Sequence, residues 1–336
     1  MPIMSRLQKA LLGREIAPIL QSGFEDAVFL ARKTARATAV FNAVEEGDPA
    51  DVIRAMGISE ARYLLDFVEA IRAAYIKAGQ TYTEALPKSI SSAMGGRFDH
   101  NSISASNWLR RYSSERVVQI TTDQKKAVRL ILQVGMQEGR NPRRVALDLV
   151  GRLENGKRRG GIIGLTETNA RWLLNARAEL ESGDVGMMNN YLARMRRDRR
   201  FDSIVERARD AGRAVSAADA DKIIARYSDR LLKLRAETIA RTEAAEAVGH
   251  SALESLRQAT ELGGFDAGRI KRTWRDAGDA RTRASHDQMN GQERFGLDDP
   301  FDFPGGGSAM FPGDGSLGAP AGELINCRCW AEEDIL

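Results

Sequence analysis

The sequence predicts a mainly α protein with a small C-terminal α+β domain and a long helix connecting two lobes. Three observations predict it. Apolar residues recur at three- and four-residue spacing through most of the first 262 positions. From Ala217 to Leu262 that pattern runs almost without interruption. After Gly263-Gly264, glycine and proline replace it. The expected organisation is a helical N-terminal region with helix hairpins over 1–216, the long helix over 217–262 and a compact α+β domain over 263–336.

A chain of 336 residues is too long for one ordinary core, which favours more than one domain. Hydrophobic residues at 43% and charged residues at 29% are those of a soluble globular protein. No apolar window reaches a membrane span, and the first twenty residues lack the apolar core of a signal peptide, so no membrane partner is expected. Two cysteines without an export signal point to a reducing interior such as the cytosol. A net charge of +4 is too small for a histone-like polycation, so local arginine clusters matter more than the total.

The elements follow in order. Leu64, Val68, Ile71, Tyr75 and Ala78 share one helical stripe, and Gly79 is read as its end. A second helix follows Thr122 with Ala127, Leu130, Ile131 and Val134 on its apolar face. Gly139 stops it, Asn141 caps the next and Pro142 starts it, making a helical hairpin. The segment "ENGKRRGGIIGL" reads as a glycine-rich basic loop, and Thr166 opens a further helix. The helix from Ala217 would span about 65 Å, too long for one small domain to bury. Then "RIKRTWRDAG" reads as a strand and turn. Between Gly296 and Glu323, eight glycines and four prolines in 28 residues exclude a persistent helix. Phe301, Phe303, Met310 and Phe311 in that stretch predict an ordered loop clamped on a core, closed by a last strand around Cys327–Trp330.

Four clusters in the last third carry the candidate chemistry: "IARTEAA", "TWRDAGDARTRASH", "FPGDGS" and "NCRC". Their order and content resemble the Mu F-like phage head morphogenesis family, whose members are also called minor head or minor capsid proteins. The matching positions are Arg241, Thr242, Glu243, Trp274, Asp279, Arg283, His286, Gly291, Pro312, Asn326, Cys327, Arg328 and Cys329, within roughly residues 235–331. Arg281 could take the place given to Arg283. The resemblance implies that Arg241 and Glu243 dock the long helix onto the terminal domain. It also implies a structural protein of the virion, in the head interior or near the portal, assembled in the host cytoplasm. The implied partners are portal protein, capsid or scaffold components and, without sequence preference, packaged double-stranded DNA.

Two thiolates, His286 and a carboxylate from Asp276 or Asp279 could together form a four-coordinate zinc site. Cys327 and Cys329, two apart on the expected strand, would face one side. A disulfide between them would close a small, strained ring. Cys-x-Cys is shorter than the usual zinc spacing, and buried cysteine also serves as a small hydrophobe, so a packed polar network without metal is the favoured reading. A nucleophilic triad of Cys327, His286 and Asp279 lacks a recognisable oxyanion hole. The alternative functions are thus a zinc-dependent or thiol enzyme acting during infection, and a non-specific DNA-binding protein. His100 and His250 read as surface or helix-end residues. For DNA the candidates are Lys157, Arg158, Arg159, Arg194, Arg196, Arg197, Arg199 and Arg200, which could meet phosphate. The interspersed Asp198, Asp202 and Glu206 favour a solvated, self-neutralised face instead. No phosphate-binding loop marks a packaging ATPase.

Overall fold

The computed structural model describes residues 2–58 and 61–336. In chain order the first helices are α1 (Arg6–Thr34), α2 (Ala37–Glu46), α3 (Pro49–Ala55), α4 (Leu65–Ala85), α5 (Lys88–Ala93), α6 (Ile103–Gln137) and α7 (Pro142–Val150). A hairpin of β1 (Arg152–Glu154) and β2 (Lys157–Arg159) leads to α8 (Glu167–Glu181), α9 (Val185–Ala193), α10 (Asp202–Asp210) and α11 (Ala217–Gly263). The remainder is β3 (Ile270–Arg275), α12 (Ala284–Met289), β4 (Glu293–Phe295), β5 (Phe301–Asp302), β6 (Ser308–Ala309), α13 (Ala321–Leu324) and β7 (Trp330–Ile335). The fold is mainly α with a small α+β region at the C-terminal end, as the apolar periodicity predicts.

These elements gather into two compact units, each built from segments far apart in sequence. One comprises residues 25–66 and 114–236, the other 2–24, 67–113 and 237–336. The continuous α11 contributes its residues up to Ala236 to the first and the remainder to the second.

In the first unit the local signals are met closely. Asn141 caps α7 by accepting from the Arg143 N–H at 2.9 Å, with Pro142 in the first helical turn. Thr166 and Asn169 form a reciprocal capping box at α8. The basic segment read as a loop is instead a two-stranded hairpin, with Glu154 opposite Lys157. Asn155 and Gly156 both adopt positive φ, 49° and 75°, the pair that a type I′ turn demands. Arg177, only 3% exposed, is held among Asp148, Glu181 and Asp221. Such a cation is tolerated in the interior only because its carboxylate partners come with it.

The second unit is organised by an antiparallel sheet of order β4-β3-β7, in which Trp274 lies opposite Ala331 and Arg272 opposite Glu333. Trp274, Met289, Phe301, Phe303, Ala309 and Ala319 form its buried cluster. Each large member contributes about 1.5–3 kcal/mol through burial. The glycine- and proline-rich segment is ordered, as its aromatic content predicts. Arg272 holds it: fully buried, it donates to the carbonyls of Gly296 (2.8 Å), Met310 (2.7 Å) and Asp299. Asp314, 2% exposed, accepts from the N–H groups of Met310 and Ser316 and folds the "FPGDGS" turn. Gly249 lets that turn approach α11, since a Cβ there would stand 2.1 Å from the Phe311 ring.

Two further local readings are corrected. Gly79 does not end its helix; α4 continues to Ala85, and Gly79 makes room for the ring of Phe98, 2.4 Å from where a Cβ would be. The last strand starts at Trp330, so Cys327 and Cys329 lie in the turn before it rather than on a strand face.

Candidate functional site

His286 sits on the short helix α12, 2% exposed, with its ring edge-on to Trp274 at 5.6 Å and tilted against Phe303. The chain returns to it after α13. There Asn326 takes a left-handed φ of 57°, which turns the backbone so that Cys327 enters the interior. Two contacts to α11 hold the turn: Arg241 Nε donates to Asn326 Oδ1 at 3.0 Å, and the Asn326 N–H donates to Thr242 Oγ1 at 3.3 Å. Arg283, at the N-terminus of α12, clamps it by donating to the carbonyl of Ile325 at 2.6 Å. Arg281 is instead 81% exposed, so Arg283 rather than Arg281 carries this contact.

The result is a convergence of three donors. His286 Nδ1 is 3.2 Å from Cys329 Sγ and 3.7 Å from Cys327 Sγ. Both thiols are free. On the other side of the ring, Nε2 lies 2.9 Å from Glu323 Oε2, close but out of line for a full hydrogen bond. Ser285 Oγ donates to the same carboxylate oxygen at 2.8 Å. An open pocket of roughly 510 Å³ borders the three donors and is lined by Arg241, Arg281, Arg283 and Arg328.

The two sulfurs divide their protons unequally. A hydrogen bond from Cys329, supported by His286, pulls the Cys327 thiol down to about 5. Cys329 moves the opposite way, because it supplies that hydrogen bond, is buried and feels the negative charges of Cys327 and Asp276.

Not every residue singled out in the sequence joins this cluster. Asp279 is exposed and pairs with both guanidinium nitrogens of Arg328, one at 2.7 Å, and this pairing holds its carboxyl well below the usual range. Asp276 is buried beside Cys329 but lies outside the donor triad. Glu243, 5% exposed, accepts from Tyr112 on α6 at 2.5 Å. The carboxylate that meets the histidine is Glu323, which the sequence reading missed. No spacing rule marks it, because it reaches His286 only once α13 and α12 pack together.

The arginine candidates are mostly committed elsewhere. Arg194 forms a two-pronged pair with Glu179 at 2.7 Å, Arg197 does the same with Asp202 at 2.9 Å, and Arg200 pairs with Asp198. Arg158 donates to the carbonyls of Gly151 and Ala35, and Arg159 lies 3.8 Å from Asp229. Lys157, Arg196 and Arg199 are exposed.

Residues 206–332 match the family model described as Phage Mu protein F like protein. Over that span the chain is similar to the Mu F-like phage proteins. Every motif residue from Arg241 to Cys329 falls inside the matched segment, together with all of α11, β3 and β4 and the start of β7 up to Glu332. Comparison with curated proteins and with solved structures returned no match. No helix among the described residues is long and apolar enough to cross a membrane.

Proposed function

We propose that the protein is a minor head protein that acts in phage head morphogenesis as a structural component of the virion. The single observation that carries this reading is the Mu F-like match over 206–332, with its motif side chains built into the fold. Arg241, Arg283 and Asn326 tie turns together, which is what a rigid mount for assembly contacts requires. The partners proposed are portal protein and capsid or scaffold components, with the protein in the head interior or near the portal. Non-specific contact with packaged DNA is assigned to Lys157, Arg196 and Arg199, because the other basic candidates are engaged within the fold.

Quantifying the composition of purified proheads and mature heads tests the reading. The protein is expected in both or in proheads alone, at a few copies beside portal, with cross-links to it. Its absence from both particle types would overturn the assignment. A triple replacement of Lys157, Arg196 and Arg199 by Ala should weaken low-salt binding to duplex DNA and lower the salt slope by up to about 3 units.

A further inference from the structure

We propose that His286 Nδ1, Cys327 Sγ and Cys329 Sγ bind a thiophilic divalent cation of the zinc class, with a fourth position turned to the arginine-lined pocket. The inference stands apart from the head-assembly reading. It rests on how the donors are placed.

With metal–sulfur bonds of about 2.3 Å and metal–nitrogen bonds of about 2.0–2.1 Å, tetrahedral donors stand roughly 3.5–3.8 Å apart. The histidine nitrogen stands 3.2 and 3.7 Å from the two sulfurs, and all three donor atoms lie within 4.8 Å of one another. Only small side-chain rotations are needed to centre an ion among them. Their chemical class is soft: two thiolates and an imidazole select zinc-like ions over magnesium or calcium, which prefer oxygen.

The second observation lies outside the triad. A ligating histidine commonly directs its other nitrogen at a carboxylate, which fixes the tautomer and raises the basicity of the bound nitrogen. Glu323 stands at that place, 2.9 Å from the buried Nε2 and a small rotation short of a full hydrogen bond, and is itself held by Ser285. With the ring proton on Nε2, Nδ1 presents its lone pair to the sulfurs. A hydrophobic staple would need no carboxylate behind the imidazole.

The surroundings also suit the charge. Trp274, Phe303 and Met289 exclude water from one side, while the pocket leaves the other open. Two thiolates and a divalent cation sum to zero, which limits repulsion from the nearby guanidinium groups. Binding releases the thiol protons to solvent and moves no electrons. Three protein ligands with one open position make a site of the Cys₂His type, completed by water.

Full-length protein purified under reducing conditions without chelator is expected to carry about one zinc per chain by elemental mass spectrometry. After metal removal, titration with cobalt(II) alone should give the sulfur-to-cobalt charge-transfer band of a tetrahedral thiolate site. Cys329→Ser and Cys327→Ser should lose both signals. Because either variant could fail to fold, Glu323→Gln supplies a second arm: it keeps all three ligands and should weaken zinc about 10- to 100-fold. A folded wild-type protein with no zinc and no cobalt band would overturn the proposal. So would a band that persists in the Cys327→Ser/Cys329→Ser double variant, or a Glu323→Gln variant that binds as tightly as wild type.

Discussion

Single side chains set much of the second unit, and two of them give direct tests. Arg272 is the first. It satisfies three carbonyls of a segment too rich in glycine and proline to order itself, and it lies over the Phe301 ring at 5.4 Å. Replacing it with Met keeps apolar bulk but strands buried acceptors, each costing about 1–3 kcal/mol. Arg272→Met should therefore lower stability by roughly 3–5 kcal/mol and open the segment between Gly296 and Glu323 to limited proteolysis. Mass mapping of the first cleavage sites checks it. His250 is the second, and its environment corrects the reading of it as a surface or helix-end group. It stacks on Trp108 at 4.1 Å and contacts Tyr75 Oη at 3.2 Å. Burial, reinforced by the positive charges of Arg257 and Arg111, pushes its pKa down to about 3. The folded state thus keeps it neutral while the unfolded chain protonates near 6.5. Between those values the unfolded state binds the extra proton, so stability falls as pH drops from about 6.5 toward 3, by up to about 1.4 kcal/mol per unit. Above 6.5 the group adds no pH dependence. His250→Gln should flatten that part of the urea-unfolding profile relative to wild type, which isolates the effect from titrating carboxylates.

Among elements, a buried ion pair joins α1 to the last strand. Lys9 Nζ meets Glu333 Oε2 at 2.5 Å and the Ala331 carbonyl at 2.6 Å, and Tyr82 of α4 donates to the same carboxylate at 3.1 Å. Lys9 is 7% and Glu333 2% exposed, so neither charge can turn to water. Lys9→Met should cost about 3–5 kcal/mol by removing the ion-pair partner of a buried carboxylate, whereas Lys9→Met with Glu333→Leu should recover much of that loss. Denaturation midpoints for the double-mutant cycle decide it. This pairing also shows where sequence reasoning stops. Caps and apolar stripes, such as Asn141-Pro142 and the run from Ala217, are local and were legible. The Asn155-Gly156 turn was equally local, but the surrounding basic residues disguised a hairpin as a loop. Lys9, Tyr82 and Glu333 are hundreds of positions apart in part, and nothing in periodicity links them. At the site, the motif brought His286, Cys327 and Cys329 into view. Glu323 stayed hidden because its role depends on how two short helices pack.

For the whole molecule, the compact units do not coincide with contiguous stretches of chain. The match to the Mu F-like family model begins at residue 206, yet the unit that holds the matched sheet also takes in residues 2–24 and 67–113. Those outer segments supply Lys9 and Tyr82 to Glu333, Arg6 to the Ala277 carbonyl at 2.8 Å, and Tyr112 to Glu243. A fragment of residues 206–336 retains every motif residue but leaves Glu333 and Glu243 buried or newly exposed without those partners. It also bares the apolar side of α11 that Tyr75, Trp108 and Tyr112 cover around His250. The fragment should consequently show weak amide protection in β3 and β7 and a tendency to associate, while adding residues 1–113 in trans should restore protection. Hydrogen exchange read by mass spectrometry measures this strand by strand. Full protection of β3 and β7 in the isolated fragment would mean that the motif segment is self-sufficient and that α1, α4 and α6 are appended to a finished fold rather than part of it.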